Sequence, residues 1–365
     1  MTISCYRQIF RFATALFVVV ACAINVTAQE STNDRPILFP AALQPDDIIM
    51  FVAPAGPLNE KRVRLATRRL EEMGFVVRLP ENLFRKNDYL AGTDQERADE
   101  LMDAFADTEV DAVFPGTGGY GATRILDKLD YDLIRKNPKV LVGYSDITAL
   151  HVAIHQETGL VTFHSPTPQF GLGSEENLAP FSARVFWRAI LSREYPAHGR
   201  EGYLIRAESN EPEVAQSTTL VPGIAQGRLI GGNLSVVHAM MGTPYEIVTD
   251  GKILFLEDVG EAPYRVDRML QTMQLAGKLD PLAGVVLGSF TRRKGEDTSS
   301  EEITIDQVLR SFFAQAKYPV LADFPAGHQR QNATLPMGAL VELNADSGAL
   351  RLMENPVRVV PPETP

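Results

Sequence analysis

The sequence predicts an α/β protein whose first half forms a parallel sheet covered by helices on both faces. Three strand-length runs, apolar at 48–53 and 140–142 and apolar apart from Asp111 at 110–114, alternate with amphipathic helical patterns such as 94–106. Strands of a parallel sheet are buried on both faces and therefore form unbroken apolar runs rather than alternating ones. Since helical patterns separate the runs, we expect helical crossovers between successive strands.

Glycine and proline mark the boundaries of the elements in this first domain, which is expected at residues 46–170. Residues 29–45 are polar, contain prolines and lack periodicity, which indicates a tether. The turn at 54–57 ends the first strand, and Gly74 ends the first helix. The predicted order is strand 48–53, a helix through Val63 and Met73, strand 75–77, helix 94–106, strand 110–114, helix 123–129 and strand 140–142.

The regular alternation is lost after residue 170. Residues 171–225 contain one predicted helix, at 180–191, which carries the single tryptophan, followed by a polar run. We interpret this stretch as a connection between domains and expect a second domain at 226–358. Its predicted elements are strands 253–256 and 284–288, helices 264–275 and 305–313, and short strands near residues 340 and 350. The pattern does not predict how these elements are ordered in space.

The first 28 residues are typical of a secretory signal peptide. Arg7 and Arg11 precede an apolar run at 12–23, which is short for a membrane span, and small residues end at Ala28. We therefore expect cleavage after Ala28 and export, to the periplasm. Two alternatives remain open: Cys22 ends a run resembling a lipobox and would then be lipidated, or the segment stays as an uncleaved anchor.

Charge and cysteine content exclude several classes of function. The chain has 365 residues, a net charge of −11 and no basic stripe interleaved with aromatic residues, so a nucleic-acid partner is not expected. Residues 1–28 carry two arginines and no acid, so their removal takes the charge from −11 to −13. Because Cys5 and Cys22 both lie there, the cleaved protein would have no disulfide, thiolate metal site or cysteine nucleophile.

A sharp strand-to-helix turn at 140–148 places Ser145 at the junction. Such a turn exposes the hydroxyl beside backbone N–H groups that have no helical partner and could hold a developing negative charge. The nucleophile turn of α/β-hydrolases has a glycine two residues after the serine, whereas this chain has Ile147. A helix N-cap is the alternative interpretation of Ser145.

Two further turns carry candidate groups. The glycines at 116, 118, 119 and 121 lie between a strand and a helix but do not match a dinucleotide-binding spacing, and no Walker lysine follows. This turn could cradle an oxyanion or a carboxylate, or simply reverse the chain. Glu257, Asp258 and Glu261 lie at the end of a strand, where a carboxylate can be positioned, although an exposed charged turn would look similar.

Among the six histidines, His328 is the strongest candidate for a catalytic base because it lies in a loop directly after a predicted strand. His164 also follows a strand and could line a pocket. His151 and His155 lie one helical turn apart, but no further ligands are arranged near them, so a metal site is not expected. A serine on a turn, an acid at a strand end and a histidine on a loop together form the set that a serine hydrolase needs.

Taken together, five blocks resemble the LD-carboxypeptidase family of serine peptidases, which includes muramoyltetrapeptide carboxypeptidases and microcin-C immunity peptidases. The blocks are Gly118-Gly119-Tyr120-Gly121, residues 142–148, Gly231-Gly232-Asn233-Leu234, residues 256–261 with Tyr264-Arg265, and Gly327-His328. The resemblance extends over about residues 46–352. It implies a flavodoxin- or Rossmann-like N-terminal sandwich and a smaller β-rich C-terminal domain, with the site between them and commonly a homodimer.

The resemblance also implies roles for individual residues. Ser145 would be the nucleophile, His328 the general base and Glu257 the carboxylate that orients it. The oxyanion hole would be formed by the N–H of Asp146 and one from the glycine turn, at Gly119. The residues expected to contact substrate are Gly118, Tyr120 and Arg265, and no cofactor is implied.

The implied activity is hydrolysis of the L,D-peptide bond that releases a terminal D-alanine from murein tetrapeptides. Alternatives are a microcin-C-type peptidase acting on acyl-adenylate-like amides and a non-catalytic exported binding protein. Many relatives have an arginine where this chain has Thr117, so Arg265 or Arg124 would have to supply a charge for the substrate carboxylate. Relatives in Gram-negative bacteria are usually cytoplasmic, whereas this chain is expected to be exported.

Overall fold

A computed structural model describes residues 35–191, 203–207, 211, 213–214, 216–292 and 303–359. The predicted signal peptide, its cleavage point after Ala28, and Cys22 with its alternative role lie outside the described residues. Within the described residues, no helix has both the length and the apolar character needed to cross a membrane.

The described part of the chain contains two sheets and the helices packed on them. The strands are β1 (Ile48–Val52), β2 (Val76–Arg78), β3 (Val110–Pro115), β4 (Val140–Gly143), β5 (Thr162–His164), β6 (Leu204–Ile205), β7 (Thr218–Val221), β8 (Ile224–Asn233), β9 (Ile253–Val259), β10 (Gly284–Thr291), β11 (Val320–Ala322), β12 (Leu335–Met337), β13 (Leu340–Asn344) and β14 (Ala349–Leu352). The α-helices are α1 (Glu60–Glu72), α2 (Asp94–Ala106), α3 (Tyr131–Lys136), α4 (Thr148–Thr158), α5 (Pro180–Ile190), α6 (Leu234–Ala239), α7 (Pro263–Leu275) and α8 (Ile305–Phe313).

The first sheet has six strands in the order β12-β5-β4-β3-β1-β2. Its strands β1 to β5 are parallel, which confirms the parallel sheet predicted from the apolar runs. Strand β12 comes from the C-terminal half of the chain and pairs antiparallel with β5, where Leu335 lies opposite His164. The sheet that carries the Ser145 turn is therefore completed by a segment far away in sequence.

Helices cover both faces of this sheet, as the unbroken apolar runs predict. On one face Phe51 and Phe114 stack with their ring centroids 6.2 Å apart, in the same core as the buried side of α1. Their neighbours Val52 and Val113 point to the other face and pack in the core that contains Phe105 of α2. Successive residues of a strand point to opposite faces, so both need to be apolar when both faces are buried.

The second sheet has eight strands in the order β6-β14-β13-β8-β9-β10-β11-β7. Strands β8 to β11 are parallel to one another, and the outer strands are antiparallel to their neighbours. The stretch 171–225, interpreted as a connection from the sequence, supplies α5 and the outer strands β6 and β7. Because parallel strands end at the same edge of a sheet, residues that follow β8, β9 and β11 lie near one another.

One continuous apolar core joins the two halves. Leu150 of α4 lies in the same cluster of buried residues as Leu234 and Val237 of α6, and Leu254 of β9 belongs to that cluster as well. The Thr148 hydroxyl accepts a 3.0 Å hydrogen bond from the Asn233 N–H in the buried contact between the halves. The turn that carries Ser145 is thus packed directly against the second sheet.

Candidate active site

The Ser145 turn has a strained backbone, and Ser145 itself is half-buried. Ser145 has φ of +64° and follows Gly143 with φ of +144°. A Cβ at position 143 would lie 2.9 Å from Ile147 Cγ2, so both the backbone angle and the space require glycine there. A non-glycine residue at positive φ costs on the order of 1–3 kcal/mol, and such strain is typical of functional sites.

Ser145 is not an N-cap. It is the first residue of a short 3₁₀ helix, Ser145–Ile147, whose N-cap is Tyr144, and the N-cap of α4 is Ile147. Neither cap residue makes a side-chain capping hydrogen bond. The capping interpretation offered by the sequence is therefore wrong, and no local structural role accounts for the serine.

The glycine-rich turn lies directly against the serine. A Cβ at Gly118 would lie 2.8 Å from Ser145 Cβ and 3.1 Å from the amide nitrogen of Asp146. The buried Asp146 carboxylate accepts a 2.7 Å hydrogen bond from the N–H of Ala122. This bond joins the Ser145 turn to the start of a 3₁₀ helix, Ala122–Lys128, that follows the glycines. Burial raises the pKa of this carboxyl, and the backbone N–H groups of Ala122 and Gly121 oppose that shift. The N–H of Asp146 lies in the first turn of the 3₁₀ helix, where no helical acceptor is available.

We expect Gly118→Ala to lower kcat by about 10²-fold with little change in KM. The added methyl would displace Ser145 and the neighbouring N–H, and losing one oxyanion donor costs on the order of 10²–10³ in kcat. Steady-state kinetics and thermal unfolding of the purified variant test this. The control for the kinetics is Gly277→Ala, where a Cβ meets nothing within 4 Å; its φ of +69° should lower the melting temperature but leave kcat unchanged. Unchanged kcat in Gly118→Ala would contradict the expectation.

His328 and Glu257 form a hydrogen-bonded pair. The His328 Nδ1 lies 2.6 Å from Glu257 Oε2, and the His328 backbone N–H donates to the same oxygen at 3.2 Å. Glu257 is fully buried, and the amide of Asn233 lies 3.3 Å from its other oxygen, Oε1. A carboxylate only accepts hydrogen bonds, so the proton of a neutral imidazole sits on Nδ1 and Nε2 keeps its lone pair. The pair is therefore arranged as a base and its orienting acid.

The histidine loop is held by its own backbone. Gly327 has φ of +113°, and a Cβ there would lie 2.7 Å from both Glu257 Oε2 and Ser289 Oγ. The Gly327 N–H donates a 2.8 Å hydrogen bond to the Asn332 side chain. Glycine at 327 is thus needed for His328 to approach the buried carboxylate.

Asn233 is a site residue to which the sequence assigned no role. Its side chain donates to Glu257 and, at 3.1 Å, to Asp258, while its Oδ1 accepts from the N–H of Val236 as the N-cap of α6. Asp258 is buried and also accepts from the backbone and hydroxyl of Ser235. An asparagine between an apolar strand and a helix is a capping signal that could have identified the junction.

One cleft brings these elements together. Its volume is about 720 Å³, and Gly118, Gly119, Ser145 and His328 all line it. Among the hydrogen bonds of the described residues, none joins the Ser145 hydroxyl to the imidazole. Contacts of this kind commonly tighten only when the substrate is bound.

Three residues that the sequence suggests for substrate binding do not line the cleft. Arg124 makes two 2.8 Å hydrogen bonds to Asp94. Arg265 contacts Tyr264 and Glu261, and Tyr120 is exposed with its ring 5.7 Å from that of Tyr89. Their roles in substrate binding stay predictions. Within the described residues no cluster of histidine and acidic side chains has the arrangement of a metal site.

The remaining histidines near the turn are buried rather than exposed on a helix surface. His151 Nε2 lies 2.8 Å from the carbonyl oxygen of Gly143, and its Nδ1 lies 2.9 Å from the Thr162 hydroxyl. Burial lowers the pKa of His151 to about 4 and also lowers that of His164 well below its usual value. The neutral His151 therefore supports the backbone immediately before Ser145.

We expect His151 to contribute a decrease in the free energy of unfolding between pH 6.5 and pH 4. The folded-state pKa of His151 lies below that of the unfolded chain, so unfolding takes up a proton in this range and is favoured as the pH decreases, by about 3 kcal/mol. Chemical denaturation at several pH values measures this. The variant His151→Gln cannot titrate, so its curve should be shallower; a curve parallel to the wild type would contradict the assignment.

Comparison with known proteins gives consistent matches over both halves. Residues 49–165 match the family model described as the LD-carboxypeptidase N-terminal domain, and residues 226–343 match the LD-carboxypeptidase C-terminal domain. A probable murein peptide carboxypeptidase of Bacillus subtilis is 39% identical over 84% of this chain and 91% of its own length. The murein tetrapeptide carboxypeptidase of Pseudomonas aeruginosa is 30% identical over 82% of this chain and 94% of its own length.

Solved structures show the same architecture. A muramoyltetrapeptide carboxypeptidase from Oxalobacter formigenes has a TM-score of 0.68 and 27% identity, covering 84% of this chain and 97% of that one. The microcin C7 self-immunity protein MccF in complex with aspartyl sulfamoyl adenosine has a TM-score of 0.76 and 25% identity, covering 88% of this chain and 100% of that one. The architecture of the described residues therefore matches that of these two solved structures.

Proposed function

Since the chain belongs to the LD-carboxypeptidase family and is a serine-type carboxypeptidase, we propose that it releases the terminal D-alanine from murein tetrapeptides. The bond hydrolysed joins an L-configured centre to the D-residue. The observation that carries this proposal is the hydrogen-bonded His328–Glu257 pair, whose histidine lines the same cleft as Ser145 with its strained backbone. The names of the murein-specific relatives supply the substrate class.

The proposed reaction has two steps. The Ser145 hydroxyl oxygen attacks the carbonyl carbon of the scissile bond while His328 Nε2 takes its proton. The N–H groups of Asp146 and Gly119 stabilise the negative charge on the carbonyl oxygen. The proton passes from His328 to the nitrogen of the departing D-alanine, the C–N bond breaks, and an ester to Ser145 remains.

Water completes the cycle by the same route in reverse. His328 accepts a proton from water, whose oxygen attacks the ester carbonyl, and returns the proton to the Ser145 oxygen as the ester breaks. The Glu257 carboxylate orients His328 and stabilises the imidazolium that forms in both steps. The products are the tripeptide acid and free D-alanine.

Incubation with a synthetic murein tetrapeptide tests the proposal directly. We expect mass spectrometry to show the tripeptide and one equivalent of D-alanine, and a fluorophosphonate probe to label Ser145. A tetrapeptide that stays intact under conditions where the probe labels Ser145 would show that the enzyme has another substrate. Failure of both would reject the serine mechanism and would favour a non-catalytic cleft.

The similarity to MccF supports a second candidate, a peptidase acting on aminoacyl-adenylate-like amides. The predicted export argues against this candidate. Microcin-type toxins act in the cytoplasm, where an exported enzyme would not meet them. Competition distinguishes the two: a sulfamoyl adenosine analogue that inhibits more strongly than a murein peptide would favour the second candidate.

We also propose that the enzyme is exported after cleavage at Ala28 and acts in the periplasm as a homodimer on muropeptides. The sequence at residues 1–28 supports export, and the murein-specific relatives support the substrate; the homodimer rests only on what the family resemblance implies. Mass spectrometry of the mature N-terminus separates cleavage at Ala28 from lipidation at Cys22.

A further inference from the structure

A carboxypeptidase distinguishes a free C-terminal carboxylate from the amide carbonyls of an internal residue. In a cleft, this discrimination normally requires a cation close to the nucleophile that can form a charge-assisted hydrogen bond. The charged side chains lining the cleft are Arg62, Glu175, Glu176, His328 and Arg330. Since His328 is paired with Glu257, two arginines remain as candidates.

Arg330 already has a partner. Its guanidinium forms an ion pair with Glu176, another residue that lines the cleft. Thr117, which lines the cleft beside Gly118, carries no charge. Arg330 would have to give up its acidic partner before it could bind a substrate carboxylate, whereas Arg62 would not.

The guanidinium of Arg62 is positioned by stacking on an aromatic ring, and among the described residues no partner uses its N–H groups. It lies in the first turn of α1, and its guanidinium carbon is 5.1 Å from the centroid of the exposed Phe170 ring. Among the described residues, its side chain makes no ion pair and no hydrogen bond. Stacking occupies one face of a guanidinium and leaves the N–H groups at its edge free, and two of these match the two oxygens of a carboxylate.

The segment that carries Phe170 is fixed to the same end of α1. The N–H of Asn59, the N-cap of α1, donates a 2.6 Å hydrogen bond to the side chain of Gln169. Gly173 packs on the backbone of Arg62 so closely that a Cβ there would lie 2.2 Å from the Arg62 carbonyl oxygen. The position of Phe170, and with it the guanidinium, therefore depends on backbone contacts rather than on a loose side chain.

We propose that Arg62 binds the terminal carboxylate of the residue that is released, with Phe170 positioning its guanidinium. This inference rests on the proposed carboxypeptidase function and assigns to α1 a substrate contact outside the five sequence blocks that resemble the family. The leaving D-alanine would lie in the cleft that Ser145 and Arg62 both line, with its carboxylate at the edge of the guanidinium.

The test compares a murein tetrapeptide acid with the same peptide ending in D-alanine amide, using wild-type protein and Arg62→Gln. We expect Arg62→Gln to lower kcat/KM for the acid by about 10- to 100-fold, mainly through KM, and to leave the amide nearly unchanged. Arg62→Lys should recover part of the loss. Arg68→Gln, on the same helix and exposed, is the matched control and should behave as wild type.

The outcomes separate this inference from the function on which it rests. If wild-type protein cleaves the acid and Arg62→Gln keeps the same preference for acid over amide, Arg62 is not the anchor although the function stands. If wild-type protein cleaves neither peptide, the proposed function fails. Calorimetric measurement of peptide binding then tests whether Arg62 binds the terminal carboxylate. In that case Ser145→Ala should bind the acid more tightly than the amide, and Ser145→Ala/Arg62→Gln should bind both equally; equal binding by Ser145→Ala alone would overturn the inference.

Discussion

Replacing Ser145 with alanine is expected to lower kcat for D-alanine release by on the order of 10⁴–10⁶. The substitution removes the attacking oxygen, and the remaining groups can only bind the peptide and stabilise an oxyanion formed by attack of water. Because the serine makes no capping hydrogen bond, its loss should not destabilise α4. Single-turnover assays with mass-spectrometric detection, together with thermal unfolding, measure both effects.

Two further results would support this role for Ser145. The alanine variant should still bind the tetrapeptide with nearly wild-type affinity, and labelling by a fluorophosphonate should disappear. Ser311→Ala serves as the control, since among the described residues its hydroxyl hydrogen-bonds only to the carbonyl oxygen of Val308 within its own helix. Retention of more than a small fraction of wild-type kcat in Ser145→Ala would show that another group attacks the peptide.

Glu257→Gln is expected to lower kcat by about 10⁴-fold while keeping the side-chain volume. The side-chain oxygen of the new glutamine would accept the hydrogen bond from Asn233. Its NH₂ group would then face His328 Nδ1 and donate a hydrogen bond to it. The imidazole would then carry its own proton on Nε2, and the nitrogen facing the cleft could no longer act as a base. In the wild type the His328 backbone N–H donates to Glu257 Oε2. In the variant it would face the glutamine NH₂ group, and two donors cannot form a hydrogen bond with each other.

Nuclear magnetic resonance of the histidine side chains checks the mechanism of this loss. The neutral His328 tautomer should change from Nδ1–H in the wild type to Nε2–H in Glu257→Gln. Because residues of one catalytic unit are strongly non-additive, Ser145→Ala/Glu257→Gln should be no slower than Ser145→Ala. Glu342→Gln, on strand β13 of the same sheet, where the half-buried side chain contacts Arg351, should match the wild-type kcat. A full additional 10⁴-fold loss in the double variant would mean that Glu257 acts independently of Ser145.

The first sheet could be predicted because its determinants are local. Unbroken apolar runs such as β1 and β4 indicate that both faces of the strand are buried, and glycine marks where α1 ends. The second sheet could not be predicted, because its order depends on pairings between distant segments. Strands β6 and β7 lie in a polar stretch and are short, and nothing in their sequence indicates which partner they choose.

The candidate site shows the same division between local and distant information. The Ser145 turn is visible in the sequence, but its capping and catalytic interpretations can be separated only by the hydrogen bonds of the helix start. Glu257 and His328 are 71 residues apart, so their 2.6 Å contact is a product of the second sheet. Arg62 could not be found, because an exposed arginine in the first turn of an amphipathic helix has no local feature that distinguishes it from Arg64 or Arg68.

Strand β12 has a consequence for how the cleft can open. It follows the loop of His328 by a few residues, yet it pairs with β5 in the sheet that ends in the Ser145 turn. A hinge rotation that separated the two halves would have to break this pairing and the shared core. The Ser145 turn and the His328 loop are therefore tied to one another through the first sheet, and we do not expect the two halves to separate as rigid bodies during turnover.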